Sequence, residues 1–592
     1  VSRTQKSIFE TYPKTTLVLV MLVIALIVDG IAGKLLIPTN DHDFRSSHPY
    51  YHHGLLSSRS QETHWGPIVY PITTNSLGFR DAGVREVSLT SDKYRILMMG
   101  DSHTEAVGVL FEESFIGRLL TQIDTTRVEL LNAAAVSYSP KLYYYKTKYL
   151  LEEVELDFDE LYAVLDISDI QNEYAYQEFE PSTSFVANVL PKLKSTLKDH
   201  SFIYYATHRL YLENQRDKFY QNISQELIDR NNTIDLYRTF FSHFHDDVLL
   251  NNPQFHTTIS EWYSDESLYQ RWGKQGIELM TVYIRKLVEL CQKHQIPLTI
   301  TVHPWRTQVK KGEAEDRHTQ YWQKFAQEND IGFINLYPVF INELPAGKVI
   351  QNHFIEDDNH WTASGHQLVA DKLSSFLLTS AAENGLATLS KEDLHYHQGM
   401  VFWEQGKMDS AIISLTQAIQ FSFDRPDFYY QRGKVYLEQH AFQLASADFH
   451  QALELDSNYH RAGAMIELLP AYRTVYETTL LINQQPSDSL YTERGKAWLQ
   501  LGQYFQAYDD FDQAREIDVY NSEPYYYLGY IKKNLMQAER ESIRYFDRAI
   551  ALDSNYLNAY RQRSEAFATI GATERAAKDQ ARIKQLGQIE SR

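Results

Sequence analysis

From about Leu394 onward, small and aromatic residues return at fixed offsets within units that follow one another at 34 positions, and that pattern leaves few folds open. Gly399, Phe402, Ala411, Leu415 and Ala418 set the pattern. Gly433, Tyr436, Ala445, Phe449 and Ala452 repeat it one interval on, and Gly495, Trp498, Ala507, Phe511 and Ala514 repeat it again. Gly529 opens a further unit, with Phe546 and Ala549 displaced by one residue, and Ser564, Phe567 and Ala576 open a last one. Small residues let two antiparallel helices approach, and aromatic rings fill the gap between them. Each unit is then a helix hairpin that buries its apolar face against the next. Asn458 to Ser487 is shorter and off-pattern, which predicts a degenerate unit or a kink.

The period and its residues resemble the tetratricopeptide repeat. That resemblance implies an all-α solenoid over about 391–592, a surface that recruits a partner protein and carries no chemistry itself.

The N-terminus places Arg3, Lys6 and Lys14 before TTLVLVMLVIALIVDGIAG, with Lys34 after it. The 19 residues between Lys14 and Lys34 would just span a bilayer as a helix rising ~1.5 Å per residue. Basic residues before the apolar run predict a cytoplasmic N-terminus and export of the chain beyond Lys34. Residues 1–36 are therefore expected to be a cytoplasmic N-terminus and single-pass anchor of a bacterial cytoplasmic (inner) membrane, with 15–33 in the lipid. The small residues Gly30, Ala32 and Gly33 keep a cleaved signal peptide open as the alternative, although no A-x-A site follows. A net charge of −20 without a basic tail argues against nucleic acid as partner. The lone Cys291 cannot form an internal disulfide, and no Cys/His cluster has zinc spacing, so neither metal nor cofactor is expected.

Between about 37 and 385 the pattern changes. Strand-length apolar runs at Tyr94–Met99, Val128–Asn132, Leu161–Ile167, Leu298–Val302 and Gly332–Leu336 alternate with helical stretches such as Ser139–Glu153 and Gly276–His294. Such alternation predicts an α/β domain of three layers, a parallel sheet with helices on both faces. The aromatic and charged stretch over about 178–260 fits the rhythm poorly and predicts a helical insertion.

The first strand runs into Gly100-Asp101-Ser102-His103-Thr104, leaving Ser102 at the carboxyl edge of the sheet and the start of a helix. Ligands bind at that edge, and a helix N-terminus offers free backbone N–H groups to a developing oxyanion. Near the end of the domain stands Glu356-Asp357-Asp358-Asn359-His360-Trp361, followed by a helix. An acid two or three residues before a histidine can hold one ring nitrogen and leave the other for a proton.

Serine at the first strand's edge, with Asp and His together at the end of the domain, resembles the SGNH (GDSL-type) hydrolase superfamily over about Tyr70 to Leu377. The lead-in Thr74-Asn75-Ser76-Leu77-Gly78-Phe79-Arg80-Asp81 belongs to the same resemblance. Asp-x-His-Trp, with Val302-His303-Pro304-Trp305, is most similar to the branch near alginate-type polysaccharide O-acetyltransferases. The fold implied is a flavodoxin-like parallel sheet. By the resemblance Ser102 is the nucleophile, His360 the base and Asp358 its orienting acid, with Asp357 at the spacing other members use. Oxyanion donors would come from Ser102, Ser137 and Ser168. Ser137 stands where the family has glycine, and Ser168 where it has asparagine. Asp101 and His303 are secondary candidates, whereas His103 and Trp361 are expected to pack around the site.

The function implied is an O-acyl esterase or O-acetyltransferase acting outside the cytoplasm on acylated polysaccharide or another envelope ester. The alternative is a weak or inactive glycan-binding domain within a repeat scaffold, since losing one oxyanion donor typically costs ~10²–10³ in rate.

Overall fold

The computed structural model describes residues 13–37, 44–182, 193–194, 196–198, 200–222, 261–312, 315–341, 346–383, 390–534 and 538–590. The insertion expected over about 178–260 lies mostly outside the described residues; within it a helix runs Phe202–Asn222. The chain forms two compact units. One comprises Val1–Trp305, Glu315–Leu336 and His353–Ala370, and the other Arg306–Ala314, Tyr337–Asn352 and Asp371–Arg592.

The first unit opens with a helix whose stretch Lys14–Leu36 has mean hydropathy 2.6 and is long and apolar enough to cross a membrane or serve as a signal sequence. Two antiparallel hairpins follow that the sequence did not announce: β1 (Arg45–His48) with β2 (His52–Leu55), and β3 (Ser60–Trp65) with β4 (Ile68–Thr73). The central sheet is parallel: β5 (Tyr94–Met99), β6 (Val128–Asn132), β7 (Glu160–Leu165), β8 (Leu298–Val302) and β9 (Gly332–Asn335), in the order β6-β5-β7-β8-β9. These runs are strands because they are short, apolar and buried on both sides; Leu97, Met98 and Met99 of β5 are fully buried.

Counted from β5, that order is 2-1-3-4-5, so the chain reverses direction across the sheet after β6. Right-handed crossovers then send the helices to opposite faces. Phe115–Gln122 and the start of Ala363–Glu383 share one side, where Phe115 N–H donates to His366 Nδ1 at 3.3 Å. Pro140–Glu152, Lys274–His294 and Arg317–Asn329 share the other, where Thr281 Oγ1 meets Tyr321 OH at 2.7 Å. Cys291 is buried there, and burial pushes its thiol up to about 12. The reversal leaves a crevice at the carboxyl end of β5, immediately before Ser102.

The second unit is helical. Antiparallel pairs run Lys391–Glu404 with Met408–Phe421, Pro426–Glu438 with Phe442–Leu455, Asp488–Gln500 with Tyr504–Ile517, Ser522–Asn534 with Glu539–Leu552, and Leu557–Thr569 with Thr573–Glu590. The recurring glycines mark the closest approach. A Cβ on Gly433 would lie 2.7 Å from the Phe449 ring, and one on Gly495 would lie 2.8 Å from the Phe511 ring. Three pairs are also clamped by a half-buried bidentate ion pair at one spacing: Arg432 on Asp448, Arg494 on Asp510 and Arg563 on Asp579, with nitrogen–oxygen distances of 2.7–2.9 Å. The off-pattern stretch is one helix, His460–Gln484, with Pro470 inside it.

Arg306–Ala314, Tyr337–Asn352 and the chain from Asp371 group with the repeats. The reason is visible in the latter half of Ala363–Glu383. Its Ser375 hydroxyl meets His397 Nδ1 at 3.2 Å, and its Lys372 pairs with Glu404, both partners lying on the first repeat helix.

Candidate active site

Gly100 ends β5 because nothing larger fits; a Cβ there would sit 2.1 Å from Thr104 Oγ1. The chain turns at once into the short helix Ser102–Glu105, capped by Asp101, whose carboxylate accepts from His103 N–H at 3.0 Å. Ser102 is the first helical residue, so its N–H has no acceptor within the helix.

The lead-in motif has a physical role here. Arg80, almost wholly buried, donates to the carbonyls of Glu105 (2.6 Å), Ala106 and Val109 (2.6 Å), and so satisfies the end of the serine helix and the loop beyond it. Ala106 takes the left-handed region there, with φ 66°. Asn75 holds the motif's own turn by accepting from the N–H groups of Leu77 and Phe79, at 3.0 and 3.2 Å.

The second half of the site is the tight loop after His353. Ile355 N–H donates to His360 carbonyl at 2.9 Å, and Asp358 N–H to Ile355 carbonyl at 3.0 Å. This fold of the loop points Asp358 and His360 the same way. His360 Nε2 lies 2.7 Å from Ser102 Oγ, and His360 Nδ1 lies 2.5 Å from Asp358 Oδ1. Asp357 is exposed, in the left-handed region at φ 55°, and Asp358 is the acid on the histidine. Burial alone would raise the Asp358 carboxyl, but the charge and hydrogen bonds of His360 and the N–H of Trp65 outweigh it and hold it well below the usual carboxylate range. The dyad therefore keeps its anion across the ordinary pH range, and an anion on Nδ1 fixes the ring with Nε2 free to take the serine proton.

Trp65, from the end of β3, was not foreseen. Its Nε1–H donates to Asp358 Oδ2 at 2.8 Å, and its ring meets His360 edge-on at 4.6 Å between centroids. It is a positioning residue for the acid. Trp65→Phe keeps the packing and removes a hydrogen bond to a charged group, worth about 1.5–3 kcal/mol. Turnover of a small aryl ester should fall at least about tenfold in kcat with KM little changed, which steady-state kinetics would read.

The remaining expected donors differ in fate. Ser137 has φ 63°, in the left-handed backbone region that favours glycine. Ser168 gives both its hydroxyl and its N–H to Asp166 Oδ1, each at 2.6 Å, so the hydroxyl is engaged by an acid. At the end of β6, Asn132 Nδ2 donates to Thr104 carbonyl at 2.9 Å and ties that strand to the serine helix. His303 and Asp101 do not touch Ser102 Oγ. They join His103 and Asp166 in a buried cluster behind the triad, where the His103 ring stacks on His360 at 4.5 Å and Trp361 packs edge-on against both His103 and His303. Tyr143 is wholly buried and donates to Val164 carbonyl at 3.1 Å, so it packs the helix onto the sheet.

The family model for the tetratricopeptide repeat matches residues 392–425, the first helix pair of the second unit. With the hairpins above, this establishes the C-terminal region as tetratricopeptide repeats. Among solved structures, the chain is similar to the crystal structure of MamA, with 16% identity, 33% of this chain and 96% of that chain covered, and a TM-score of 0.18. It is similar to MamA 41-end from Desulfovibrio magneticus RS-1, with 17% identity, 35% and 100% covered, and a TM-score of 0.17. It is also similar to YrrB, described as a TPR protein with an unusual peptide-binding site, with 14% identity, 35% and 91% covered, and a TM-score of 0.17. No curated protein matches the chain.

Proposed function

We propose that the sheet-bearing unit is a serine O-acyl esterase or O-acetyltransferase of the SGNH type. In this reading it is held outside the cytoplasm by the helix Pro13–Leu36 and acts on acyl esters of an envelope or secreted polysaccharide. The observation that carries the reading is the unbroken relay from Ser102 Oγ through His360 to Asp358, at 2.7 and 2.5 Å, where a 2-1-3-4-5 sheet opens its crevice.

His360 Nε2 takes the Ser102 proton as Oγ attacks the acyl carbonyl, and Asp358 steadies the imidazolium. The tetrahedral intermediate collapses when His360 returns that proton to the departing sugar oxygen, leaving the acyl group on Ser102. Water or a second sugar hydroxyl then gives its proton to His360 and takes the acyl group, which restores the serine. Hydrolase and transferase share every step but the last acceptor. The repeats supply a surface for a partner protein of an envelope-modification assembly.

A second reading rests on Ser168. With the Ser168 hydroxyl committed to Asp166, the oxyanion loses its expected side-chain donor, which favours a slow enzyme or a glycan-binding domain. Intact-protein mass spectrometry after brief exposure to an activated acetyl ester separates the two. One acetyl group on Ser102, discharged faster when an oligosaccharide is added, supports the transferase; discharge to water alone supports the esterase. A chain that never acquires the acetyl group sustains the binding reading instead.

A further inference from the structure

Behind the triad, four buried side chains from separate segments converge. Asp101 and His103 flank the serine, Asp166 follows β7, and His303 follows β8. Each offers one ligand atom, and these atoms all lie within 4.8 Å of one another. Nearest approaches are 3.7 Å between Asp101 Oδ1 and His103 Nδ1, 3.5 Å between His103 Nδ1 and Asp166 Oδ2, and 3.8 Å between His303 Nε2 and Asp166 Oδ2. Those are too long for hydrogen bonds. They sit close to the edge of a tetrahedron whose centre binds each atom at about 2.0–2.1 Å, for which ligand atoms stand about 3.4 Å apart.

The unused hydrogen-bonding capacity points the same way. His303 is wholly buried, yet neither ring nitrogen has a hydrogen-bond partner, and His103 Nδ1 has none either. His103 Nε2 lies 3.0 Å from Asn359 carbonyl, which can only accept, so that nitrogen carries the hydrogen. In the neutral ring the Nδ1 lone pair then faces the two carboxylates. Outer partners are those of metal ligands: a backbone carbonyl behind the His103 ring, and the Trp305 Nε1–H on Asp166 Oδ2 at 2.7 Å. Two buried carboxylates facing one another are costly without a compensating charge, and a dication makes the set neutral.

We infer that Asp101, His103, Asp166 and His303 form a binding site for one divalent transition-metal ion of zinc-like chemistry, closed to solvent and structural in role. A mixed imidazole and carboxylate set suits zinc, and four protein donors leave no open position for substrate. The ion would tie the serine turn to the ends of β7 and β8. It takes no part in the acyl relay, and the inference stands whether or not the unit is an esterase.

The whole chain, purified in detergent, should be stripped with a chelator, loaded with Zn²⁺, desalted and assayed for bound metal by elemental mass spectrometry. The expected result is about one zinc per chain. Loading with Co²⁺ should give the visible absorption of a tetrahedral site, and the zinc-loaded chain should melt at a higher temperature than the stripped one. His303→Gln and Asp166→Asn should lose the bound zinc and the cobalt spectrum while keeping the circular dichroism of the wild type. The rival arrangement is an imidazolium at His103 balancing the carboxylates without metal. Wild-type protein that binds no stoichiometric zinc and gives no cobalt bands would overturn the site, as would a folded His303→Gln that binds as much zinc as wild type. Should both variants fail to fold, the wild-type stoichiometry and cobalt spectrum still decide.

Discussion

Ser102→Ala is expected to abolish covalent labelling by a fluorophosphonate probe and to lower turnover of an activated acetyl ester by on the order of 10⁴–10⁶. The size follows from the geometry. The hydroxyl sits 2.7 Å from His360 Nε2, and alanine leaves the base with nothing to deprotonate but water. Ser102 is buried at the start of its helix and its hydroxyl bonds no other side chain among the described residues, so the substitution leaves the turn and its Asp101 cap in place. His360→Ala should cost about as much, because residues that act as one unit do not lose rate additively. The double variant should therefore be hardly slower than either single one. Equal labelling of wild type and Ser102→Ala would sink the esterase reading altogether.

Asp358→Asn is expected to give the second large effect, a drop in kcat of about 10⁴ with substrate binding nearly unchanged. An amide in place of the carboxylate can present its NH₂ group to Nδ1, which puts the ring hydrogen on Nε2 and leaves no lone pair for the serine proton. It also removes the anion that steadies the imidazolium. Trp65 Nε1–H adds to the effect, since it donates to Asp358 Oδ2 at 2.8 Å and holds that oxygen as an acceptor. The neighbouring Asp357→Asn should stay close to wild type, because Asp357 faces outward. Stopped-flow measurement of the acylation burst in both variants checks the pair. A larger loss at Asp357 would reverse the assignment.

How much of this was readable in the sequence depends on distance along the chain. β5, β6 and β8 were legible because each is a short, mostly apolar run of strand length, and the hairpin array was legible because its period repeats the same small and aromatic side chains. The Ser102 turn and the Asp358/His360 loop were readable for the same reason, since each is a local motif of a few residues. The hairpins at Arg45–Leu55 and Ser60–Thr73 were not, because strands of four to six residues such as SQETHW carry too little apolar periodicity. Trp65 reaches Asp358 across 293 positions, and no local pattern announces such a contact. The cluster of Asp101, His103, Asp166 and His303 escaped for the same reason: metal spacing in a sequence is a local signal, and here the strand order does the gathering. The arginine–aspartate clamps were hidden differently. Their spacing of 16 residues is constant, but it appears only in three of the helix pairs and involves residue types that usually mean an exposed face.

The unpaired helix His460–Gln484 has a consequence of parity. Each short turn in the array reverses the chain, so two hairpins before it return the chain to its starting sense and the lone helix leaves it inverted. The opening helix of each later pair, beginning with Asp488–Gln500, therefore runs opposite to Lys391–Glu404 and Pro426–Glu438. The array is thus two blocks, of two pairs and of three, whose opening helices run in opposite senses, where an uninterrupted array would keep one sense throughout.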